Sequence, residues 1–192
     1  MGSKVTEIRW HARGGQGAVT AAKMLAEMAL SKDLYFQAFP EYGPERMGAP
    51  IQCFNRLSKE PIHMYCGVAS PEIVIVVDPS LCDVVDFTAG LPKGSQIAIN
   101  TGECPATVTE KYNLHDYKVS TVDATRISMD ALGRAMPNVP MLGALLKLTG
   151  LLSEKEALSF IEDSFGHKFS AKVVKGNVTA LQKAFEEVQT VE

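Results

Sequence analysis

The sequence predicts an α/β fold, a three-layer α/β/α domain on a mainly parallel, mixed sheet. Short runs rich in β-branched residues alternate with longer amphipathic runs, an order typical of β-α-β units. One run, Ile73–Val77, is continuously apolar, as central strands buried on both faces are. A chain of 192 residues suits a single domain, and we expect residues 1–192 to form one.

The first half of the chain predicts a helix between two strands, followed by a hairpin. Strands are predicted at Val5–His11, Leu34–Phe39, Ile51–Leu57 and Ile62–Cys66, with the last two paired across a turn at residues 58–61. Ala18–Leu30 predicts a helix because its residues are good helix formers and its apolar positions recur with helical spacing. Between these elements lie a glycine-rich turn at Ala12–Gly17 and a loop at Pro40–Pro50.

The second half predicts three strands and a helical C-terminal part. The strands are Ile73–Val77, Gln96–Asn100 and Lys118–Asp123, and the helices are Ser80–Phe87, Thr125–Arg134, Met141–Thr149, a helix from Ser153 to Gly166, and Ala171–Glu187. Two prolines break the chain at Met136–Pro140 before the helix at Met141. Ser153 and Glu156 have the spacing of a capping box, which predicts a helix start.

Composition excludes several classes of function. The net charge of −3 is unlike a duplex-binding surface, so we expect no nucleic-acid partner. The longest apolar runs, Ile73–Val77 and Val139–Leu146, are far shorter than a membrane span, so we expect no membrane contact. No basic and apolar leader opens the chain, which favours a cytoplasmic location. Met1–Lys4 is expected to be a frayed end.

The four cysteines and four histidines do not form a metal or catalytic motif. Cys53, Cys66, Cys82 and Cys104 are widely separated, and no CxxC pair occurs. Iron–sulfur and structural zinc sites usually use closely spaced pairs, so we expect no metal site in this chain. The histidines are scattered, and neither G-x-S-x-G nor H-E-x-x-H is present. The sequence therefore predicts reduced thiols and no catalytic residue.

A glycine-rich turn between a predicted strand and a predicted helix is the clearest local signal. Unpaired amides and the dipole at a helix N-terminus attract anions, and glycine lets a phosphate approach the backbone. The candidate phosphate-binding residues are Arg13, Gly14, Gly15, Gln16 and Gly17. A dinucleotide site is disfavoured because Ala12 occupies the first glycine position of that fingerprint. A purely structural turn remains an alternative.

Two further motifs suggest a crevice or a subunit interface. The loop at 39–50 contains three prolines and follows a strand, where an α/β sheet offers a ligand crevice. The segment at 137–144 combines helix-start residues with small residues that permit close packing. The candidate interface or crevice residues are Glu41, Tyr42, Glu45, Arg46, Met47, Asn138 and Met141. Solvated ion pairs in the loop and a simple helix start at Asn138 are the alternatives.

Taken together, the three motifs resemble the gamma subunit of 2-oxoacid:ferredoxin oxidoreductases, with the pyruvate (pyruvate synthase) branch most similar. They are RGGQG at 13–17, AFPEYGPERMGAP at 38–50 and PNVPMLGA at 137–144, and VDPSL at 77–81 and VDAT at 122–125 fit the same pattern. The resemblance implies a complex that decarboxylates a 2-oxoacid with thiamine diphosphate, magnesium and iron–sulfur clusters. It further implies that ferredoxin accepts the electrons and that the acyl group passes to coenzyme A, as in anaerobic metabolism.

The resemblance also implies how the work is divided among subunits. The thiamine and the clusters belong to alpha, beta and delta partners, so this chain binds no cofactor alone and is inactive alone. Its own part is to cover the catalytic core and to help bind coenzyme A, whose phosphates would occupy the glycine turn. Ala12 departs from the glycine common in relatives. The alternatives are a free-standing nucleotide-binding α/β enzyme and a purely structural subunit, and the isolated chain could form a homodimer.

Overall fold

A computed structural model of the chain describes residues 5–41 and 48–191. In these residues one sheet of seven strands has the spatial order β2-β3-β1-β4-β5-β6-β7. The strands are β1 (Thr6–Arg13), β2 (Tyr35–Glu41), β3 (Pro50–Ser58), β4 (Ile73–Val76), β5 (Gln96–Asn100), β6 (Lys118–Val122) and β7 (Gln189–Thr190). The central block β1-β4-β5-β6 is parallel, whereas β3 pairs antiparallel with β1 and β2, and β7 pairs antiparallel with β6. The sheet is therefore mixed, as the sequence predicts.

The helices follow the strands mostly where the sequence places them. They are α1 (Ala18–Leu30), α2 (Pro105–Tyr112), α3 (Ala124–Leu132), α4 (Asn138–Thr149), α5 (Glu154–Gly166) and α6 (Ala171–Glu187). The predicted capping box is confirmed: the Ser153 hydroxyl and the Glu156 carboxylate each accept from the other residue's backbone amide. Gly150 ends α4 in the left-handed region, at φ 64°. No helix in the described part of the chain is long and apolar enough to cross a bilayer.

Two hydrophobic clusters lie on opposite faces of the sheet. The larger cluster joins Ile8 and Trp10 of β1 to apolar residues of α1, α4 and α6. The smaller one joins Val74 and Val76 of β4 to β5, α2 and the segment that follows β4. The α/β class is confirmed, but the two helical layers are unequal. Helices α1, α3, α4, α5 and α6 contribute to the larger cluster on one face. Among the described residues, α2 is the one α-helix on the other face.

The predicted strand at Ile62–Cys66 is wrong. This segment has no regular structure, and β2 is the antiparallel partner of β3 instead. The reason lies in Arg56 of β3, whose buried guanidinium donates hydrogen bonds to the backbone carbonyls of Cys66 and Gly67 at 2.8 and 3.1 Å. The carbonyls that a strand would use for pairing are thus turned toward a buried cation.

Three helical segments also differ from the prediction. The predicted helix at Ser80–Phe87 is only a short 3-10 helix, Pro79–Asp83. Helix α2 was not predicted, because its threonines and valine are weak helix formers. The predicted break at Met136–Pro140 ends earlier, since α4 already begins at Asn138. Pro140 is tolerated there because amides in the first helical turn have no partner within the helix.

Strand β2 forms one edge of the sheet and continues through Pro40 to Glu41, into the segment predicted as loop. A proline lacks the N–H that ladder pairing requires, and within sheets it is confined to edges where that position faces outward. Pro40 is aligned with Cys53 of β3. Strand β2 consequently has one backbone donor fewer than a strand of the same length without proline.

Candidate functional site

The carboxyl ends of the parallel strands bring the predicted motifs to one edge of the sheet. β1 ends at Arg13, Asp78 follows β4, and β5 ends at Asn100. Helices α1 and α4 also begin at this edge, with Gly17 beside Asn138. In open α/β sheets this is the side where ligands bind. The glycine turn and the segment at 137–144 therefore meet, although they are far apart in sequence.

The glycine turn leaves the N-terminus of α1 without a side-chain cap. Gly17 stands at the N-cap position in the left-handed region, at φ 78°, and makes no side-chain capping bond. Gly15 also has a positive φ of 98°, and a Cβ placed there would meet no atom of residues 5–41 and 48–191 within 4 Å. The described residues therefore leave space beside Gly15, near the positive end of the helix dipole. An anion is the ligand this geometry favours.

Arg13 is already engaged within the chain. Its guanidinium donates to the Ser80 hydroxyl at 2.9 Å and to the Gly48 carbonyl at 3.2 Å. Its Nε lies 3.5 Å from an Asp78 carboxylate oxygen, and about a third of the side chain is exposed. The positive charge beside the turn is thus partly compensated by Asp78.

Gln16 ties the turn to the end of β4. Its Oε1 accepts from the Arg13 amide at 2.8 Å, and its Nε2 donates to Asp78 Oδ2 at 2.6 Å. The other Asp78 oxygen accepts from the Ser80 amide and hydroxyl at 3.0 and 2.6 Å. Sequence reasoning did not name Asp78 and Ser80 as site residues. The VDPSL motif at 77–81 was the available signal.

Asn138 is the first residue of α4, directly after Pro137, and its side chain packs against Gly17. A Cβ placed on Gly17 would lie 2.7 Å from Asn138 Nδ2. Asn138 is only 7% exposed, and its buried Oδ1 has no hydrogen-bond partner among the described residues. The predicted crevice position of Asn138 is compatible with this placement.

The other predicted interface residues fall into three groups. Met141 is fully buried in the core cluster, so its predicted place at a crevice or interface is wrong. The reason is that α4 is buried along its length from Asn138 to Leu146. Glu41 is exposed at the end of β2. The predicted loop residues Tyr42, Glu45, Arg46 and Met47 lie outside the described residues. The end of that loop does reach the turn, since the Gly14 amide donates to the Ala49 carbonyl at 3.1 Å.

A buried basic pair lies on β1 below the turn. Arg9 donates to the carbonyls of Phe87 and Ala89 at 2.9 and 2.8 Å. His11 is 2% exposed, and its Nε2 has no partner among the described residues. Burial, together with the nearby Arg9 charge, lowers the pKa of His11 to about 4, although Asp86 opposes this effect. His11 is accordingly neutral in the folded protein near pH 7.

The cysteines differ in their environments. Burial raises the pKa of Cys53 and of Cys82 to about 12, so neither is a nucleophile at neutral pH. Cys104 is exposed, and hydrogen bonding from Thr107 lowers its pKa. Across residues 5–41 and 48–191, no group of three or more histidine, cysteine, aspartate or glutamate side chains could hold a metal ion.

Comparisons with known proteins all find similarity to pyruvate oxidoreductase subunits, over nearly the whole chain. Residues 7–187 match the pattern of the pyruvate ferredoxin/flavodoxin oxidoreductase family. The common gamma subunit of pyruvate/ketoisovalerate oxidoreductases from Thermococcus litoralis is 42% identical over 186 residues, covering 97% of this chain and 98% of that protein. The crystal structure of pyruvate oxidoreductase subunit PORC from Thermotoga maritima is 40% identical, with a TM-score of 0.86, covering 98% of this chain and 99% of that one.

A more distant structure shares the fold. It is the 2-oxoglutarate:ferredoxin oxidoreductase of Magnetococcus marinus, with 2-oxoglutarate, coenzyme A and succinyl-CoA bound. Its sequence is 18% identical, and the TM-score is 0.74. The alignment covers 94% of this chain but 30% of that longer one.

Proposed function

Because the chain belongs to the pyruvate ferredoxin/flavodoxin oxidoreductase family, as a subunit of an oxidoreductase complex, we propose that it is the gamma subunit of a pyruvate synthase. Such a complex removes the carboxyl group of pyruvate as carbon dioxide and transfers the acyl group to the thiol of coenzyme A. The electrons released pass to ferredoxin. The full-length match to gamma subunits supports this proposal.

In this proposal the chain holds the phosphate end of coenzyme A at the glycine turn. The supporting observation is the N-terminus of α1, which has no side-chain cap at Gly17 and, within the described part of the chain, has space beside Gly15. Amides and the helix dipole there suit a phosphate better than any other group of the cofactor. The distant fold neighbour is an oxidoreductase of the same broad class whose structure holds coenzyme A.

The proposal assigns thiamine diphosphate, magnesium and the iron–sulfur clusters to alpha, beta and delta subunits. This chain would then cover the core that they form, in the cytoplasm. The start of β3 borders the turn, and β2 ends at Glu41 on the same edge of the sheet, so contacts to partners and to coenzyme A would share one edge. In that division of labour, the chain's chemistry is binding and orientation rather than bond making.

Replacing Arg13 by alanine tests the proposal in a complex reconstituted from all subunits. We expect the KM for coenzyme A to rise about tenfold, near 1.4 kcal/mol, because Arg13 adds positive charge beside the turn. We expect no larger rise, because the charge of Arg13 is partly compensated by Asp78. Steady-state kinetics at varied coenzyme A would measure it, and decarboxylation measured without coenzyme A should stay unchanged.

Lys93→Ala provides the matched control. Lys93 is an exposed cation paired with Asp116, in the loop before β5 at the opposite end of the sheet. Its removal should leave the KM for coenzyme A at the wild-type value. If Arg13→Ala lowers both half-reactions together, or prevents assembly, the turn is a structural feature. A purified chain that binds a dinucleotide alone would instead favour a free-standing nucleotide-binding enzyme.

A further inference from the structure

Tyr65 is almost entirely exposed, although the backbone around it is held in place. Its side chain is 92% exposed. On its C-terminal side, the Arg56 guanidinium donates to the carbonyls of Cys66 and Gly67 at 2.8 and 3.1 Å. Arg56 is itself 1% exposed, and a cation inside a protein is unfavourable unless it is well paired. A buried charged group therefore orders a segment that exposes an aromatic ring.

The residue before Tyr65 is fixed from the edge strand β2. Gln37 Nε2 donates to the Met64 carbonyl at 2.9 Å, and Gln37 Oε1 accepts from Arg56 at 3.1 Å. The carbonyls on both sides of Tyr65 thus have partners on β2 and β3. A tyrosine on an ordered backbone loses little conformational freedom when it binds, and tyrosine is enriched among the residues that dominate protein interfaces. Tyr65 therefore has the properties of a preorganised anchor.

Exposed apolar side chains accompany this tyrosine and form a surface that we name the β2 patch. It consists of Tyr35, Phe36, Met64 and Tyr65, which are 49, 38, 37 and 92% exposed. Four of the nine large apolar side chains that are exposed in the described part of the chain are gathered here. An open pocket of about 440 Å³ lies within the patch, and its lining includes Phe36, Phe39, Met64 and Tyr65. Such a concentration of exposed apolar surface is typical of a protein-binding site.

Acidic residues border the β2 patch. Asp33 precedes β2, Glu41 ends it, and Glu60 lies two residues beyond β3, the strand paired with β2. None of these three carboxylates forms an ion pair with another described residue, and Lys59 supplies one positive charge nearby. Residues 42–47 contain one glutamate and one arginine, which leave this balance unchanged. The rim of the patch is therefore net negative.

The charge of the rim and the proline in β2 disfavour a second copy of this chain as the occupant. Two copies would bring their acidic rims together, which like-charge repulsion opposes. Pro40 in addition hinders direct pairing between two β2 edges. A partner with basic residues around a bulky apolar side chain fits both the pocket and the rim. The source of such a partner is the oxidoreductase complex of which this chain is a subunit.

We propose that the β2 patch is the docking surface for another subunit of the complex, which inserts a bulky apolar side chain beside Tyr65 and places basic residues against the acidic rim. That the partner belongs to this complex rests on the function proposed above. Tyr65 is the main contact, and Arg56 is a positioning residue that acts through the backbone of residues 66–67. The β2 patch shares no residue with the glycine turn, so docking and coenzyme A binding can be tested separately.

Tyr65→Ser tests the docking surface in a complex assembled from separately purified subunits. Because the ring is exposed, its removal should leave the urea midpoint of the isolated chain unchanged. The Kd between this chain and the other subunits should rise about 10- to 100-fold, measured by titration of a fluorescently labelled chain. Phe169→Ser is the matched control, because it also removes an exposed aromatic ring, between α5 and α6, and it should assemble as the wild type does.

Glu60→Lys tests the acidic rim. The new positive charge would face the basic residues of the partner, so the Kd should rise about tenfold at low salt and less at high salt. Glu162→Lys makes the same change at an exposed position of α5 and should leave the Kd unchanged. A dimer of the isolated chain would respond in the opposite direction, because the repulsion between two acidic rims would fall.

The outcomes separate this proposal from the one on function. If the wild-type chain assembles, and Tyr65→Ser and Glu60→Lys assemble equally well, the β2 patch is not a docking surface while the proposed function stands. If the isolated chain forms a dimer that Tyr65→Ser abolishes, a second copy occupies the patch and the proposal is overturned. If the wild-type chain binds no other subunit, the proposed function fails as well. Weaker assembly of both variants, with both controls normal, supports the docking surface.

Discussion

The two faces of β1 are both buried, but one carries apolar side chains and the other carries polar ones. On one face, Ile8, Trp10 and Ala12 are completely buried against α1 and the C-terminal helices. On the other face, Arg9 and His11 are also buried, but as polar groups in a layer that contains little helix. Alternation along a strand places these residues on opposite sides. A single strand thus takes part both in apolar packing and in a buried polar network.

The difference shows how irregular segments are held on the second face. Arg9 binds the carbonyls of Phe87 and Ala89, and Arg56 of β3 binds those of Cys66 and Gly67. These loops combine apolar contacts with hydrogen bonds to buried cations, whereas the helices on the opposite face are held by apolar packing. The apolar face should therefore respond to loss of volume, and the polar face to loss of charge and to pH.

The largest effect is expected on the apolar face, at Trp10. Trp10→Ala removes a fully buried indole and should lower the free energy of unfolding by about 3–5 kcal/mol. Trp10→Phe should cost less, about 1–3 kcal/mol, because it mainly leaves Asn55 Oδ1 without the indole donor at 2.9 Å. Urea unfolding of the purified subunit, followed by circular dichroism, measures both. Equal losses for the two variants would contradict the assignment of this face to packing.

A smaller effect is expected at the ion pair of Glu7 and Arg56 on the polar face. Arg56 is 1% exposed and donates to Glu7 at 2.7 Å, so Glu7→Gln removes the countercharge of a buried cation. The remaining amide oxygen can still accept, and we expect a loss of about 1–3 kcal/mol by urea unfolding. Asp116→Asn is the same change in the exposed pair with Lys93, and it should cost under about 1 kcal/mol. Similar losses in the two variants would mean that burial of Arg56 is unimportant.

An effect of similar size to that of Glu7→Gln is the pH dependence contributed by His11. Its pKa is lowered from 6.5 to about 4 in the folded protein, so the unfolded chain binds this proton first as pH falls. Stability is therefore complete above about pH 6.5 and declines toward pH 4, with about 2 kcal/mol lost between pH 7 and pH 5. His11→Leu should lose less over that interval. If the free energy of unfolding falls equally with pH in the wild type and in His11→Leu, His11 is not the source of the pH dependence.

Elements with a clear local signal were predicted, whereas helix α2 and the irregular segment at Ile62–Cys66 were not. Helices α1, α5 and α6 follow from helix formers, spacing and the capping box at Ser153. The segment at Ile62–Cys66 has strand-forming residues, yet its backbone is fixed by Arg56 from another strand. Burial of that guanidinium has no local signature, because arginine is usually exposed.

The candidate site shows the same division. The glycine turn is visible in the sequence because its positive φ angles require Gly15 and Gly17. Its contact with Asn138 joins two motifs that are remote in the chain, and sequence alone gave each a separate interpretation. The engagement of Arg13 by Asp78 was likewise hidden, since it depends on the neighbouring strand β4. The positive charge of Arg13 in the motif therefore did not reveal that this side chain is already paired within the chain.

Pro40 matters for the subunit before it meets its partners. An unpaired edge strand can template pairing with another chain and so lead to aggregation. Pro40 has no N–H, and a proline in an edge strand is one of the devices by which proteins hinder such pairing. Newly made chains are thereby discouraged from joining edge to edge while they await assembly. Strand β2 thus combines an edge position in the sheet with a residue that disfavours edge-to-edge pairing.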